Sequence, residues 1–221
     1  GCGADRSLPF KERDEGRVSM AEIISEATGI ILAGGASSRF GSNKALAAWN
    51  GKEKLVERVC GVMNSLFSQN LVVVKDSVQF DFLKKSGVNL YQDLFAETHS
   101  LGGIYSGLHY APTERVFVCG CDMPHLHPGL VRAMWGASAG YDAVVPVWQG
   151  RLQPLCGFYS KSCLGVLRCM AQEKRFKIQE LFGIVRTRLF QEDDVRAYDA
   201  QGLSFCDVDT PEDFLKAKAI A

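Results

Sequence analysis

Gly29-Ile-Ile-Leu-Ala-Gly-Gly-Ala-Ser-Ser-Arg-Phe-Gly-Ser-Asn-Lys44 is an apolar run that breaks into paired glycines and then presents one Arg and one Lys. Ile30 to Ala33 are apolar without alternation, as in a short parallel strand covered on both faces. Gly34 and Gly35 let the backbone turn tightly, so that its N–H groups approach a ligand where a Cβ would intrude. Read for chemistry, this is a phosphate-handling loop with Arg39 and Lys44 as its cations. Read plainly, it is a glycine turn from a core strand to a helix, with both cations solvated. Two glycines, an Arg and a Lys together after a buried strand favour the loop.

The spacing excludes two familiar loops. A Walker A loop needs Gly, four residues, then Gly-Lys-Ser/Thr, whereas five residues separate Gly35 from Gly41 and Lys44 follows three positions later. A G-x-G-x-x-G dinucleotide fingerprint is absent, because Gly34 and Gly35 are adjacent.

Downstream, strand and helix patterns alternate. Apolar residues at 55, 56, 59, 62, 63, 66 and 67 predict a helix over Glu53 to Phe67. Strands are expected at Leu71–Val74, Val88–Tyr91, Val116–Cys121 and Ala143–Val147, and helices at Phe80–Lys85, Leu101–Tyr110 and Pro128–Trp135. Beyond residue 150, Leu152–Tyr159 and Ile184–Leu189 read as strands, Cys163–Ala171 and Pro211–Ala219 as helices. The expected fold is a three-layer α/β domain: a mostly parallel twisted sheet with helices on both faces and ligands at the C-terminal strand ends. Residues 29–221 are expected to form one domain and residues 1–28 a flexible N-terminal extension, mixed in charge and without periodicity. The lack of an initial Met admits a processed, truncated or misassigned start.

The 221 residues carry 25 basic and 25 acidic side chains, so no net field draws the chain to nucleic acid or an acidic membrane. No apolar run approaches the ~20 residues of a membrane span. The eight cysteines sit in apolar runs, without C-x-x-C spacing, which predicts a reduced, cytoplasmic protein. Cys119-x-Cys121 and His125-x-His127 lack further ligands at recognisable spacing and are read as core thiols and polar turn residues.

Val116-Phe-Val-Cys-Gly-Cys-Asp-Met-Pro124 ends a buried strand abruptly in a carboxylate. A charge there is costly unless something binds it, and Asp122, at the same sheet edge as the glycine loop, is suited to hold Mg²⁺. A helix cap is the plain alternative for Asp122.

Leu-Ala-Gly-Gly-x-Ser-x-Arg-Phe-Gly-x-x-Lys at Leu32 to Lys44 resembles the signature of nucleotidyltransferases that activate sugars and cofactors, and most closely that of the molybdenum cofactor guanylyltransferases. The resemblance runs from about residue 29 to 219 and implies a Rossmann-like nucleotidyltransferase fold. It implies nucleotide contacts at Leu32, Ala33, Gly34, Gly35, Lys44, Asp93, Leu101, Gly102 and Gly103, and Mg²⁺ at Asp122 in Cys-Asp-Met-Pro. Arg151–Tyr159 resembles the acceptor-side stretch, and Phe205–Phe214 a motif in which Asn commonly occupies the places of Asp207 and Asp209. Ionised aspartates cannot donate to an acceptor phosphate, although Asp209 could join Asp122 at the metal. Ser100 stands where proline is usual, and Lys75 where Asn is often found near the purine.

The implied activity is Mg²⁺-dependent transfer of GMP from GTP to molybdopterin, with Arg39, Lys44 and Asp122 as catalytic groups. Transient contact with molybdoenzymes or cofactor-biosynthesis proteins would accompany it. Lys75, Ser100, Asp207 and Asp209 keep open a sister transferase using CTP or another nucleotide with molybdopterin or a sugar phosphate. A nucleotide-binding module without catalysis is the alternative from another class.

Overall fold

The computed structural model describes residues 22–35, 40, 41, 43–97 and 99–220. Strand β1 (Ala27–Leu32) leads into a small hairpin, β2 (Ala48–Asn50) and β3 (Glu53–Lys54), then α1 (Leu55–Asn64) and β4 (Asn70–Val74). There follow β5 (Asn89–Gln92), α2 (Ser100–Tyr110), β6 (Arg115–Gly120), α3 (Pro128–Gly136), β7 (Ala143–Trp148), β8 (Arg151–Leu152) and β9 (Cys156–Ser160). The chain continues through α4 (Cys163–Gln172), β10 (Thr187–Phe190), α5 (Glu192–Arg196) and α6 (Pro211–Ile220).

The main sheet runs β10-β7-β9-β6-β1-β4-β5. β1 pairs parallel with both β4 and β6, and β4 with β5. The chain builds to one side of β1 and then returns to the other, so β1 marks a reversal of strand order, where open α/β sheets place ligands. Alternate residues feed two cores. Ile31, Phe117 and Cys119 pack toward α1 and α3, while Ile30, Val116 and Val118 pack toward α2 and α4. Cover on both faces is why Ile30 to Leu32 of β1 reads as apolar sequence without alternation. The mostly parallel three-layer architecture agrees with the expectation.

Helix α2 lies directly on β1 because it is lined with glycines. A Cβ at Gly107 would approach Ile30 Cγ2 at 2.7 Å, and one at Gly103 would approach Leu32 Cδ1 at 3.0 Å. The helix gives up intrinsic propensity for this close approach.

Three local expectations need correction. The predicted strand Leu152–Tyr159 is two strands: Gln149 and Gly150, both at positive φ, turn β7 back into β8, and Pro154, which has no N–H, interrupts the run before β9. β9 then inserts antiparallel between β6 and β7. The helix over Glu53–Phe67 begins only at Leu55, because Glu53 and Lys54 pair with β2 around Gly51. The extension expected over residues 1–28 ends earlier, since Ile24 is buried and bridges to Phe67, and β1 begins at Ala27. Apolar contacts of Ile24 and Ala27 with the α1 core draw this stretch into the fold. Residues 1–21 lie outside the described residues. No described helix is long and apolar enough to cross a membrane.

Candidate active site

The C-terminal ends of β1, β4 and β6 are in register at Leu32, Val73 and Gly120. Backbone bonds continue this alignment past the strands: Ala33 N donates to Val73 O, Cys121 N to Leu32 O, and Asp93 N to Val74 O. A cleft of about 370 Å³ opens above them, lined by Gly34, Gly35, Lys44, Lys75, Asp93 and Asp122 among others. Gly35 has open space where a Cβ would stand, whereas Gly34 backs onto the stem of Lys75. Arg39 lies outside the described residues.

Lys44 begins a short 3-10 turn capped by Asn43, whose side chain accepts from Ala45 N. Its Nζ donates to Asp122 Oδ2 at 2.6 Å and to Asp209 Oδ1 at 2.9 Å. Burial works against the ammonium, but the charges and hydrogen bonds of Asp122 and Asp209 outweigh it and hold Lys44 well above its ordinary pKa. Gly120 has no Cβ where the Asp122 carboxylate folds back. The Asp122 carbonyl accepts from Val208 N, which fastens the 205–210 loop to the site and brings Asp209 there. Asp213 closes a reciprocal cap with Thr210 at the start of α6, so part of the Asp207–Thr210 motif is structural.

Asp207 lies beside this group. Desolvation, followed by the like charges of Asp122 and Asp209, exceeds the opposing pull of Lys44 and pushes its pKa up to about 7. Asp207 is nonetheless exposed to solvent, which screens part of that push.

The remaining sequence-derived residues separate. Asp93 borders the cleft, but Lys75, Ser106 and Phe95 N engage its carboxylate. Leu101 is fully buried in the α2 core and its side chain does not reach the cleft. Gly102 N donates to His99 Nδ1 at 2.8 Å, and Gly103 lines the cleft beside Leu32.

His99 carries no motif yet caps α2 and faces the cleft. Its ring stacks on Phe176 at 4.3 Å. The accepted bond requires an unprotonated Nδ1 and places the proton on Nε2, which is buried without a hydrogen-bond partner among the described residues. Phe176 belongs to a second recess of about 440 Å³, walled by Gln153, Lys177, Gln179 and Asp207. The two recesses share Ser100, Asp122 and Leu155. The wall at 176–179 went unseen in the sequence; its signal was an isolated Phe-Lys within a charged stretch.

Among the described residues no group of three or more His, Cys, Asp or Glu could hold a metal. A hard cation here would rest on Asp122 and Asp209, two carboxylates converging within 3 Å of one cationic nitrogen, with substrate oxygens completing it. Cys119 and Cys121 are buried, and burial raises both thiols well above their ordinary pKa, which keeps them unreactive. His125 Nε2 lies 2.8 Å from Ala217 O and so helps dock α6. His127 precedes α3 as its cap residue.

Residues 29–188 match the model of the MobA-like NTP transferase domain. A probable molybdenum cofactor guanylyltransferase of Pelotomaculum thermopropionicum is 36% identical over 196 residues, covering 89% of this chain and 94% of its own. A molybdenum cofactor guanylyltransferase of Desulfosudis oleivorans is 35% identical over 194 residues, covering 87% and 94%. The solved structure of molybdopterin-guanine dinucleotide biosynthesis protein A from Archaeoglobus fulgidus superposes with a TM-score of 0.75 at 25% identity, covering 87% of this chain and 97% of that one.

Proposed function

Since the chain belongs to the MobA-like NTP transferase family and is a nucleotidyltransferase, we propose that it transfers GMP from Mg-GTP to the terminal phosphate of molybdopterin. The observation that carries this reading is the junction of two recesses at Asp122, with Lys44 and Asp209 gathered on it. A nucleotide in the first recess and a phosphate acceptor in the second would meet there.

An acceptor phosphate oxygen attacks the α-phosphorus in line. A new P–O bond forms to the acceptor, the α–β bridging bond breaks, and pyrophosphate leaves with the electron pair. Such a reaction asks the protein for positioning and charge neutralisation more than for a nucleophile. Gly34 and Gly35 allow backbone N–H groups to approach the phosphates. Lys44 stabilises charge on the triphosphate and on departing pyrophosphate, with Arg39 as the second cation of the loop. Asp122, joined by Asp209, would hold Mg²⁺, which when bound neutralises phosphate charge. Asp207, whose carboxyl pKa is raised by desolvation and by the charges of Asp122 and Asp209, donates from its protonated form to an acceptor, as an amide would.

One observation supports a second reading, a sister transferase with another pair of substrates: two further carboxylates, Asp209 and Asp207, line the two recesses beside Asp122. Calorimetric titration with GTP, CTP, ATP and UTP in Mg²⁺ separates the two. The proposal expects selective GTP binding, lost in Asp122→Ala, and pyrophosphate release once molybdopterin is added. Preference for CTP, or binding without release, would move the assignment.

A further inference from the structure

The side chain of Lys75 leaves the end of β4 and runs along the floor of the nucleotide recess. Its stem packs beneath Gly34, where a Cβ would come within 3.3 Å of Lys75 Cγ. Its ammonium donates to the carbonyls of Phe95 at 2.5 Å and Glu97 at 2.7 Å, and pairs with Asp93 Oδ2 at 2.9 Å. An ammonium has three donors and no acceptor, so these oxygens engage all of them.

Asp93 is committed to the same network. Its side chain is only 5% exposed, and its Oδ1 accepts from Ser106 Oγ at 2.7 Å and Phe95 N at 3.1 Å. Ser106 Oγ in turn accepts from Leu94 N. The glycine loop, the end of β4, the segment after β5 and helix α2 therefore meet through one lysine.

We propose that Lys75 is a positioning residue, which straps residues 93–97 against α2 and so shapes the nucleotide recess without reading the nucleobase. The inference rests on the nucleotide reading of that recess. To reach a base, the ammonium would have to release a loop carbonyl or the Asp93 carboxylate and leave a charge or acceptor poorly paired. The strap therefore acts on every nucleotide alike.

The test uses the whole chain with Lys75→Met, which keeps the stem and removes the charge. Hydrogen exchange over residues 93–97, without nucleotide, should quicken roughly tenfold or more while α1 and β6 keep their protection. The dissociation constants for GTP and ATP should rise together, by roughly tenfold, with their ratio unchanged and KM affected more than kcat. Lys75→Met and Asp93→Asn should be non-additive, because both cut one network. Lys75→Arg, which keeps charge and several donors, should restore part of the protection. If Lys75→Met does not fold, Lys75→Gln carries the same comparison. Unchanged exchange over 93–97 overturns the proposal. A loss confined to one nucleotide also overturns it and makes Lys75 a direct reader of the base. A wild-type chain that binds no nucleotide removes the functional reading instead, and exchange in Lys75→Met still reports the strap.

Discussion

Replacing Lys44 with Met keeps the aliphatic stem and deletes an ammonium 2.6 Å from Asp122 and 2.9 Å from Asp209. Two consequences can be separated. Lys44 and Asp122 are 12% and 18% exposed, between a buried pair, whose disruption costs about 3–5 kcal/mol, and a surface pair worth less than about 1. A stability loss of about 1–3 kcal/mol follows, smaller than the roughly 5–15 kcal/mol that holds a domain together, so the variant stays folded at 25 °C. Turnover should suffer more. Losing one donor aimed at transition-state charge costs about 2.7–4 kcal/mol, a fall of about 10²–10³-fold. Removing the lysine also deletes the positive charge that pulls the Asp207 pKa down, so that carboxyl should titrate above its present value of about 7. The assay is pyrophosphate release at saturating GTP and molybdopterin, with thermal unfolding measured on the same preparation. Turnover within about threefold of wild type in a folded variant would remove Lys44 from the mechanism.

Asp122→Ala should abolish Mg²⁺-dependent transfer, while Asp209→Ala should weaken the Mg²⁺ response with a smaller loss of rate; activity surviving Asp122→Ala would pass the metal to Asp209. Gly107→Ala drives a Cβ to 2.7 Å from Ile30 Cγ2, and overpacking of about 1–3 kcal/mol outweighs the gain of up to ~1 kcal/mol in helix propensity. Its Tm should drop by about 2–6 °C, and an unchanged Tm would mean that α2 can lift off β1 freely. The Asp207 pKa is raised from 3.8 to about 7, so between those values the folded chain keeps a proton that the unfolded chain has lost. Stability contributed by this group therefore declines as pH rises across that window. Asp207→Asn should remove the decline, seen as a Tm difference favouring the variant that grows from pH 4 to pH 7, and parallel Tm profiles would contradict the assignment.

Much of the fold could be read locally. The apolar run at the end of β1, Ile30 to Leu32, announces a strand covered on both faces, and Pro128 and Pro211 mark helix starts at their first residues. The direction of β9 could not be read, because apolar periodicity identifies a strand without its partner. The turn at Gln149–Gly150 and the break at Pro154 set up its antiparallel entry. The burial of Leu101 was out of reach for a related reason: in a helix beginning at Ser100, motif proximity does not say which side chain faces the core.

Gly34, Gly35 and Asp122 could be placed at the cleft from the sequence because each stands at a conspicuous break, an apolar strand ending in glycines or in a charge, and Lys44 because it closes the same glycine loop. Their chemistry as a group was not legible. Lys44 meets Asp209 across 165 positions, and Lys75 meets the 93–97 segment across a neighbouring strand. His99 meets Phe176 only because α2 and the chain beyond α4 converge at one end of the sheet. Backbone propensity and side-chain periodicity act over a few residues, so the sequence alone determined the elements and the residue types at their ends. Strand order and register, settled by burying both sheet faces at once, decided which of those ends meet, and so which charges face one another across the cleft.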